Sequence, residues 1–562
     1  MGECGAAIVI DYLAPIKWAV AVSFMKNAKG GLMKTNQMLQ AACIATSLLV
    51  ALPSYAARDF TPQAGTWIVS EELDGKPGRG LAIDVQGNTF FMQVFGYEKN
   101  GDATFYTATG QMDGNGVTAP LMRYQGGRSF GSGARDAVED KTVGDVAVSF
   151  SNGLKGTVQF PGEQPVAIER FLVSNGWEGG RDAAEERNFY LVSTDSSGAF
   201  GQFWYAVMLS ANGDFFRLGL RGGTDSTVMQ TMPCTIDKAT QYFHCEAAPG
   251  DPARWLAAGL APIERVDVRQ VGESMAGSLV IQGAAEPYAA LGSLRYVNWS
   301  APQPFPSGRL VQSYSYARAG GAVITGPVSA DLLMPMNGTW IVEGEQTGKP
   351  GRGISLDMQN WALVMQMFNY RADGQPTFHM GSGSYLGNAR NASSGTIAFK
   401  QYAGGRSLGG ARQSAHEVAD AGDATVSFSM QLDAYDVVGT VQLPGEAPQR
   451  IKRLTLEPTE VWTDRVLGQW YFPQQHLVAQ FSTAGHDELV SDDGRVTCRP
   501  VYSALSQPVQ LLCSADGGLA WRWSVPGVAQ WLGRDALAST LTPYLRLRDR
   551  HGNLLGLGQV DE

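Results

Sequence analysis

Two pentapeptides, Gly127-Arg128-Ser129-Phe130-Gly131 and Gly405-Arg406-Ser407-Leu408-Gly409, carry the G-x-S-x-G pattern of a serine nucleophile set on a strained strand-to-helix turn. Such a serine needs a base within reach, a buried strand before it and a helix after it. Here the flanks are Gly-rich and β-like, and residues 57–173 contain no histidine. The pattern therefore predicts a Gly-rich loop, not an elbow. The loop still concentrates charge: Arg128 and Arg135 recur as Arg406 and Arg412, beside Ser129 and Ser407. Paired arginines next to glycine N–H groups suit a carboxylate, sulfate or phosphate. Asp136, Glu139 and Asp140 are the competing local partners for those cations.

Other motifs carry less chemistry. Gly75-Lys76-Pro77-Gly78-Arg79-Gly80 lacks the Lys-Ser/Thr that opens a helix in a phosphate loop, and it leads into the strand-like Leu81-Ala82-Ile83-Asp84. It reads as a tight turn. The histidines, at 244, 379, 416, 476, 486 and 551, show no metal-ligand spacing and no equivalence between halves, so neither a metal nor another cofactor is expected. Asp84 and Asp357, and Glu163 and Glu446, recur as carboxylates, but nothing in the sequence puts two of them in one cleft. Phe91, Gln93, Phe95 and Tyr97 match Val364, Gln366, Phe368 and Tyr370, and the residues between them are apolar too. A strand apolar on both faces is buried on both, so one face lines a cavity or meets another module. Tyr97 and Tyr370 thereby join the arginine loops as candidate ligand-binding residues.

The elements that position these residues come in a repeat. Gly65-Thr66-Trp67-Ile68-Val69 returns at Gly338 to Val342, and Gly75–Gly80 returns at Gly348–Gly353 with the same displacement of 273. Gly126–Ser129 returns at Gly404–Ser407, and Pro161-Gly162-Glu163 at Pro444–Glu446. The drift in spacing marks small loop insertions. A looser second unit follows each copy: Gly201-Gln202-Phe203-Trp204-Tyr205 against Gly468-Gln469-Trp470-Tyr471, then a cysteine pair, then Trp255-Leu256 against Trp531-Leu532.

The predicted order is A–B–A–B: module A1 over 57–173, B1 over 174–290, a connector over 291–333 containing Ala301-Pro302-Gln303-Pro304-Phe305-Pro306, A2 over 334–456 and B2 over 457–562. Within A1, short apolar or alternating runs punctuated by Asn100-Gly101 (Asp373-Gly374 in A2) give about eight strands and almost no helix. The fold class is all-β, built of small antiparallel modules, with module A an eight-stranded up-and-down barrel and a β-sandwich as the alternative.

Glycine is abundant, 68 residues of 562, without a Gly-X-Y period, and 44% of residues are hydrophobic. Residues 1–56 read as an export signal, with an apolar run from Met38 to Leu52 after Lys34 and cleavage near Ala56 in Ser54-Tyr55-Ala56. The apolar stretch upstream of Met33 reads as an over-extended start. Four of the 43 basic and two of the 53 acidic residues leave with it, so the mature net charge is near −12. Nucleic acid and anionic lipid are poor partners for that surface. No mature segment is apolar over the ~20 residues of a transmembrane helix. Four cysteines remain, and their local pairing in an exported chain predicts the disulfides Cys234–Cys245 and Cys498–Cys513.

Gly-x-Trp on the first strand and an arginine on the last, Trp67 with Arg170 and Trp340 with Arg453, resemble the lipocalin and avidin (calycin) superfamily. That resemblance implies a tryptophan closing the barrel floor with the arginine lying across its ring. The Gly-Thr-Trp and Gly-Lys-Pro-Gly-Arg-Gly signatures also resemble exported proteobacterial β-repeat proteins, a likeness that carries no activity with it. The expected role is a non-catalytic binding or scaffold protein of the periplasm or exterior, its partner a small molecule, a glycan or an envelope protein. A secreted hydrolase and an envelope assembly or adhesion factor are the alternatives.

Overall fold

The computed structural model describes residues 56–556 apart from internal segments, the longest being 295–307 and 525–544. The export segment, the Pro-rich stretch 301–306, Trp531, His476 and His486 lie outside the described residues.

The first barrel runs β1 (Gly65–Val69), β2 (Gly80–Gln86), β3 (Thr89–Tyr97), β4 (Ala103–Gln111), β5 (Gly116–Gln125), β6 (Val138–Phe150), β7 (Lys155–Gln159) and β8 (Val166–Arg170). Each strand pairs antiparallel with the next, and β8 returns to β1 with Arg170 opposite Trp67, so no edge is left open. Gly65 begins β1 at φ 128°, a conformation suited to glycine. Two residues on, the Trp67 indole N–H donates to the Gln63 carbonyl at 2.9 Å and its ring meets Phe150 edge-on at 5.3 Å. On β3, Phe90, Met92 and Val94 join this filled interior. The loop after β5 runs only to Ala137, because β6 begins at Val138.

The second module comprises β9 (Ala183–Thr194), β10 (Phe200–Ala211), β11 (Phe215–Gly222), β12 (Gln230–Asp237), β13 (Tyr242–Glu246), helix α1 (Asp251–Ala257), β14 (Ile263–Val271), β15 (Ser274–Ile281) and β16 (Tyr288–Leu294). Since β9 pairs with both β10 and β16, these eight strands also form a ring. Trp204, Ala206 and Met208 alternate inward from β10. It meets the first barrel where Tyr242 and Ala276 pack with Leu154 and Leu172.

The stretch expected to be a plain connector carries strands. β16 extends to Leu294, and β17 (Gly308–Ala319), β18 (Ala322–Val323) and β19 (Val328–Pro335) follow, with β17 pairing onto β9. The alternating Gln312-Ser313-Tyr314-Ser315-Tyr316 holds the β propensity that the neighbouring prolines obscure.

The second A barrel closes in the same way through β20 (Gly338–Val342), β21 (Gly353–Gln359), β22 (Ala362–Tyr370), β23 (Pro376–Ala389), β24 (Ala392–Ala403), β25 (His416–Gln431), β26 (Asp436–Gln442) and β27 (Gln449–Arg453). Trp340 pairs with Arg453, donates to the Met336 carbonyl at 2.9 Å and meets Phe428 at 5.2 Å. The last module has helix α2 (Trp462–Val466) and two sheets. One joins β28 (Gly468–Phe472), β29 (Leu477–Phe481) and, at its far edge, the final strand. The other holds β30 (Leu489–Val490), β31 (Val496–Tyr502), β32 (Pro508–Ala515) and β33 (Leu519–Ser524); the final strand is β34 (Leu545–Arg548). Among the described residues no helix is long and apolar enough to cross a membrane.

Both predicted disulfides are present, each between directly opposed residues of adjacent strands: Cys234 on β12 with Cys245 on β13, and Cys498 on β31 with Cys513 on β32. Both pairs are buried in their modules' cores. Each closes a short loop, so replacing either pair with alanines is expected to cost about 3 kcal/mol. Thermal unfolding of Cys498→Ala/Cys513→Ala beside the parent, with and without reductant, checks this. The parent should fall to the variant's midpoint on reduction of that bond.

Candidate functional site: the face between the two A barrels

The two A barrels pack face to face, and the stripe on β3 and β22 makes the contact. Phe95 stacks on Phe368 with ring centroids 4.7 Å apart, Phe105 meets Phe368 and Tyr370 edge-on at 5.5 and 5.6 Å, and Phe378 meets Phe95 and Tyr97 at 5.3 and 5.8 Å. This answers why both faces of β3 are apolar: one face fills its barrel and the other meets the second barrel. Burial pushes the phenols of Tyr97 and Tyr370 well above their usual value, and neither hydroxyl finds a hydrogen-bond partner.

Charged residues lock this face from both sides. Arg170 holds Asp357 through two bonds of 2.5 and 2.7 Å, and the Thr66 N–H donates to the same carboxylate at 2.8 Å. The mirror set is Arg453 on Asp84, with Oδ1 at 2.8 Å, and the Thr339 N–H donating to Asp84 at 3.0 Å. Arg170 also donates to the Thr66 carbonyl at 2.8 Å. A buried ion pair leans on further hydrogen bonds to its remaining polar atoms, and these backbone contacts supply them at the carboxylates and at Arg170 Nη1, while the Nε of each arginine is left without a partner.

A second, larger clamp involves the Gly-Lys-Pro-Gly-Arg-Gly turn. Arg79, buried, binds Glu72 at 2.6 Å and Glu163 at 2.8 Å within the first barrel. Arg406 of the second barrel approaches the same two carboxylates at 3.1 and 3.2 Å, and the Gly409 N–H donates to Glu163 at 2.7 Å. In the mirror clamp Arg352 binds Glu345 and, at 2.6 Å, Glu446, while Arg128 reaches Glu345 at 2.9 Å and Glu446 at 3.0 Å. Burial works to raise the Glu163 and Glu446 carboxyls, but the arginines and a backbone N–H outweigh it and hold both below the ordinary range.

The Gly-Arg-Ser loops are thus clasps between barrels. Gly127 lies against the Tyr370 ring and Gly405 against Tyr97, where a Cβ at either glycine would overlap the ring. The Gly126 N–H donates to Gly374 O at 2.7 Å, and the Gly404 N–H to Gly101 O at 2.8 Å. Phe130 extends over the second barrel, 4.7 Å from the His379 ring and 6.0 Å from Phe399, while Leu408 packs against the core of the first.

Arg128 is therefore not answered by Asp136, Glu139 or Asp140, as its neighbourhood in sequence suggests. Asp136 instead meets Thr347 at 2.7 Å and Lys349 at 3.2 Å, and Asp140 meets Arg123 at 2.6 Å. Arg135 donates to the Gly127 carbonyl at 2.6 Å, and Arg412 is exposed near Asp74. Ser129 lies in a turn closed by Ser132, whose hydroxyl donates to the Ser129 carbonyl at 2.9 Å, and a strand follows this loop where an elbow needs a helix. Ser407 forms a backbone bridge with Tyr97. Asp84, Asp357, Glu163 and Glu446 are all engaged by arginine, so none stands free as an acid or base. Sequence reasoning passed over Glu72, Arg79, Glu345 and Arg352; the signal was their recurrence as charged residues beside turn glycines.

The arginine-over-tryptophan contact expected at Arg170 and Arg453 occurs elsewhere. Both side chains turn to the opposite barrel, whereas in the last module Arg546, opposite Trp470, lies 5.0 Å over its ring and donates to the Leu467 carbonyl at 2.6 Å. Burial lowers Arg546 to about 10.

Among the described residues no group of three or more His, Cys, Asp or Glu side chains is placed to hold a metal ion. His244 bonds Asp267 at 2.8 Å and His551 bonds Glu457 at 2.9 Å. Among the described histidines only His379 is deeply buried, and burial lowers it to about 4 from 6.5. Between those values the unfolded chain binds the proton and the folded chain resists it, so stability falls as pH drops from 6.5 to 4. His379→Gln should remove a loss of up to about 3 kcal/mol over that window. Urea unfolding of variant and parent at pH 7 and pH 4 measures it.

An open depression of about 400 Å³ on the outer wall of the first barrel is lined by polar residues such as Gln111, Thr118, Ser149 and Gln159, and includes none of the loop arginines. Compared with known proteins, the chain matches no family model and no curated protein sequence.

Proposed function

We propose that the chain is an exported, non-catalytic binding or scaffold protein of the bacterial envelope, in which the paired A barrels form a rigid hub for the B modules. One observation carries this reading. The recurring arginines and carboxylates Arg128 and Arg406, Arg170 and Arg453, Asp84 and Asp357, Glu163 and Glu446 are spent on each other across the barrel face, and no acid–base–nucleophile set recurs beside them. Two buried disulfides support export to an oxidising compartment, periplasmic or extracellular. Ala56 and Ala57 are exposed, consistent with processing near Ala56.

A small ligand, glycan or anion would meet the hub at the outer edge of the clasps, where Arg135 and Arg412 are exposed, with Lys349 and Lys76 close by. Arg128, Ser129, Arg406 and Ser407 would then shape the edge from behind, with Tyr97 and Tyr370 beneath. Thermal shift of the full chain against glycans, acyl chains and small anions tests this binding. A shift abolished by Arg135→Ala/Arg412→Ala supports the ligand role; no shift with any compound leaves scaffolding of an envelope protein. A fluorophosphonate probe should leave Ser129 and Ser407 unlabelled, and labelling of either would replace this reading with a hydrolase.

A further inference from the structure

The charged clamps and the clasp bonds between the A barrels follow a two-fold rule, though Gln366–Thr66 and Arg371–Asp102 stand outside it: where residue i of the first meets j of the second, the counterpart of j in the first meets the counterpart of i in the second. Arg170 meets Asp357, and Asp84 meets Arg453. Arg128 meets Glu446, and Glu163 meets Arg406. The same exchange relates backbone bonds, Ala137 N–H to Pro350 O at 2.8 Å and Ala415 N–H to Pro77 O at 2.7 Å. It extends to exposed rim pairs, Asp136 with Thr347 at 2.7 Å and Asp74 with Ser414 at 2.6 Å. An interface built this way is isologous, one patch complementary to itself.

We infer that the A face is a self-recognition surface whose partner is a second copy of module A, so that A1 would pair with A1 as it pairs with A2. The residue types at the clamps support this. In an A1–A1 pair, Arg170 would face Asp84, Arg128 would face Glu72 and Glu163, and Phe95 would stack on Phe95, so each clamp is regenerated. The copies differ at the rim, where an A1–A1 pair sets Asp136 against Asp74 and an A2–A2 pair sets Ser414 against Thr347, and beneath the clasp tips, where Phe130 covers His379 in the second barrel and Leu408 packs on the first. The A–B half is then a complete dimerisation unit, and this chain is two such units joined covalently.

The test keeps the full chain. In the parent, Asp136→Cys with Thr347→Cys should cross-link under mild oxidation within one molecule. In one chimera a second copy of 57–173 replaces 334–456; in a reciprocal one a second copy of 334–456 replaces 57–173. Each carries cysteines at the equivalent rim positions. The expected result is that at least one chimera is folded, by near-ultraviolet circular dichroism, and forms the intramolecular cross-link with no loss of yield relative to the parent. Two folded chimeras without the cross-link would overturn the inference. So would two chimeras that fail to fold, because interchangeable faces require neither copy in particular.

Discussion

Arg170→Ala is expected to lower stability by about 3–5 kcal/mol, because it strands the Asp357 carboxylate in the barrel face with its counter-charge gone. Both side chains of this pair are 1% exposed, so water cannot take over from the guanidinium. Asp357 would keep the Thr66 N–H at 2.8 Å and a longer contact from Gln359 at 3.3 Å, too little to solvate a charge. The mirror variant Arg453→Ala should cost less: Asp84 is 1% exposed like Asp357, but Arg453 itself is 13% exposed, so water reaches the space it vacates. Replacing both partners, Arg170→Met with Asp357→Leu, should recover most of the loss, as apolar pairs of similar volume often match a buried ion pair. Urea midpoints followed by tryptophan fluorescence measure all four chains. Equal losses in Arg170→Ala and Arg453→Ala, with no recovery in the double variant, would mean that desolvation is not what ties these charges together.

Glu446→Gln is the second large effect, about 3 kcal/mol, with a distinctive pH dependence. Glu446 is 3% exposed and accepts from Arg352, Arg128, Gln449 and the Gly131 N–H. Glutamine keeps the shape but removes the charge facing two guanidiniums, one of them on the opposite barrel. The folded carboxyl is held below its ordinary 4.5, so its contribution is fully present above that value and disappears as pH falls through the folded value. The gap between parent and Glu446→Gln should therefore be wide at pH 7 and close in acid. A gap that stays constant down to pH 2 would show that packing, not charge, explains the loss.

Much of the architecture was legible because it rests on local signals. Gly-x-Trp marks β1 and β20 through a positive-φ glycine and an inward indole, and Asn100-Gly101 and Asp373-Gly374 mark the turns after β3 and β22, with Gly101 and Gly374 at φ 88° and 85°. The start of β6 was not legible, since Val138-Glu139-Asp140-Lys141 is charged and itself bulges at Asp140 in its pairing with β5. Pairing with β5 makes that segment a strand, not its own hydrophobicity.

The site was harder to read. Arg128 has acidic neighbours in sequence, yet its partners Glu345 and Glu446 lie on the other barrel, 217 and 318 positions away. Nothing local distinguishes an arginine waiting for a ligand from one waiting for a distant glutamate. The one available signal was the doubly apolar stripe on β3, which announced a second buried face without naming what covers it. Arg170 failed as an arginine over tryptophan for a related reason: Asp357, supplied by the second copy, offers a guanidinium a carboxylate, which holds it more strongly than a ring.

Asp74→Cys combined with Ser414→Cys addresses the pairing of the barrels most directly, because those side chains meet at 2.6 Å across the exposed rim. After mild oxidation, peptide mapping should recover one disulfide joining a peptide from 57–173 to one from 334–456, in a chain that still migrates as a monomer. Free thiols at both positions in the folded, oxidised protein, or a bond formed only between separate molecules, would contradict a face-to-face pair within one chain.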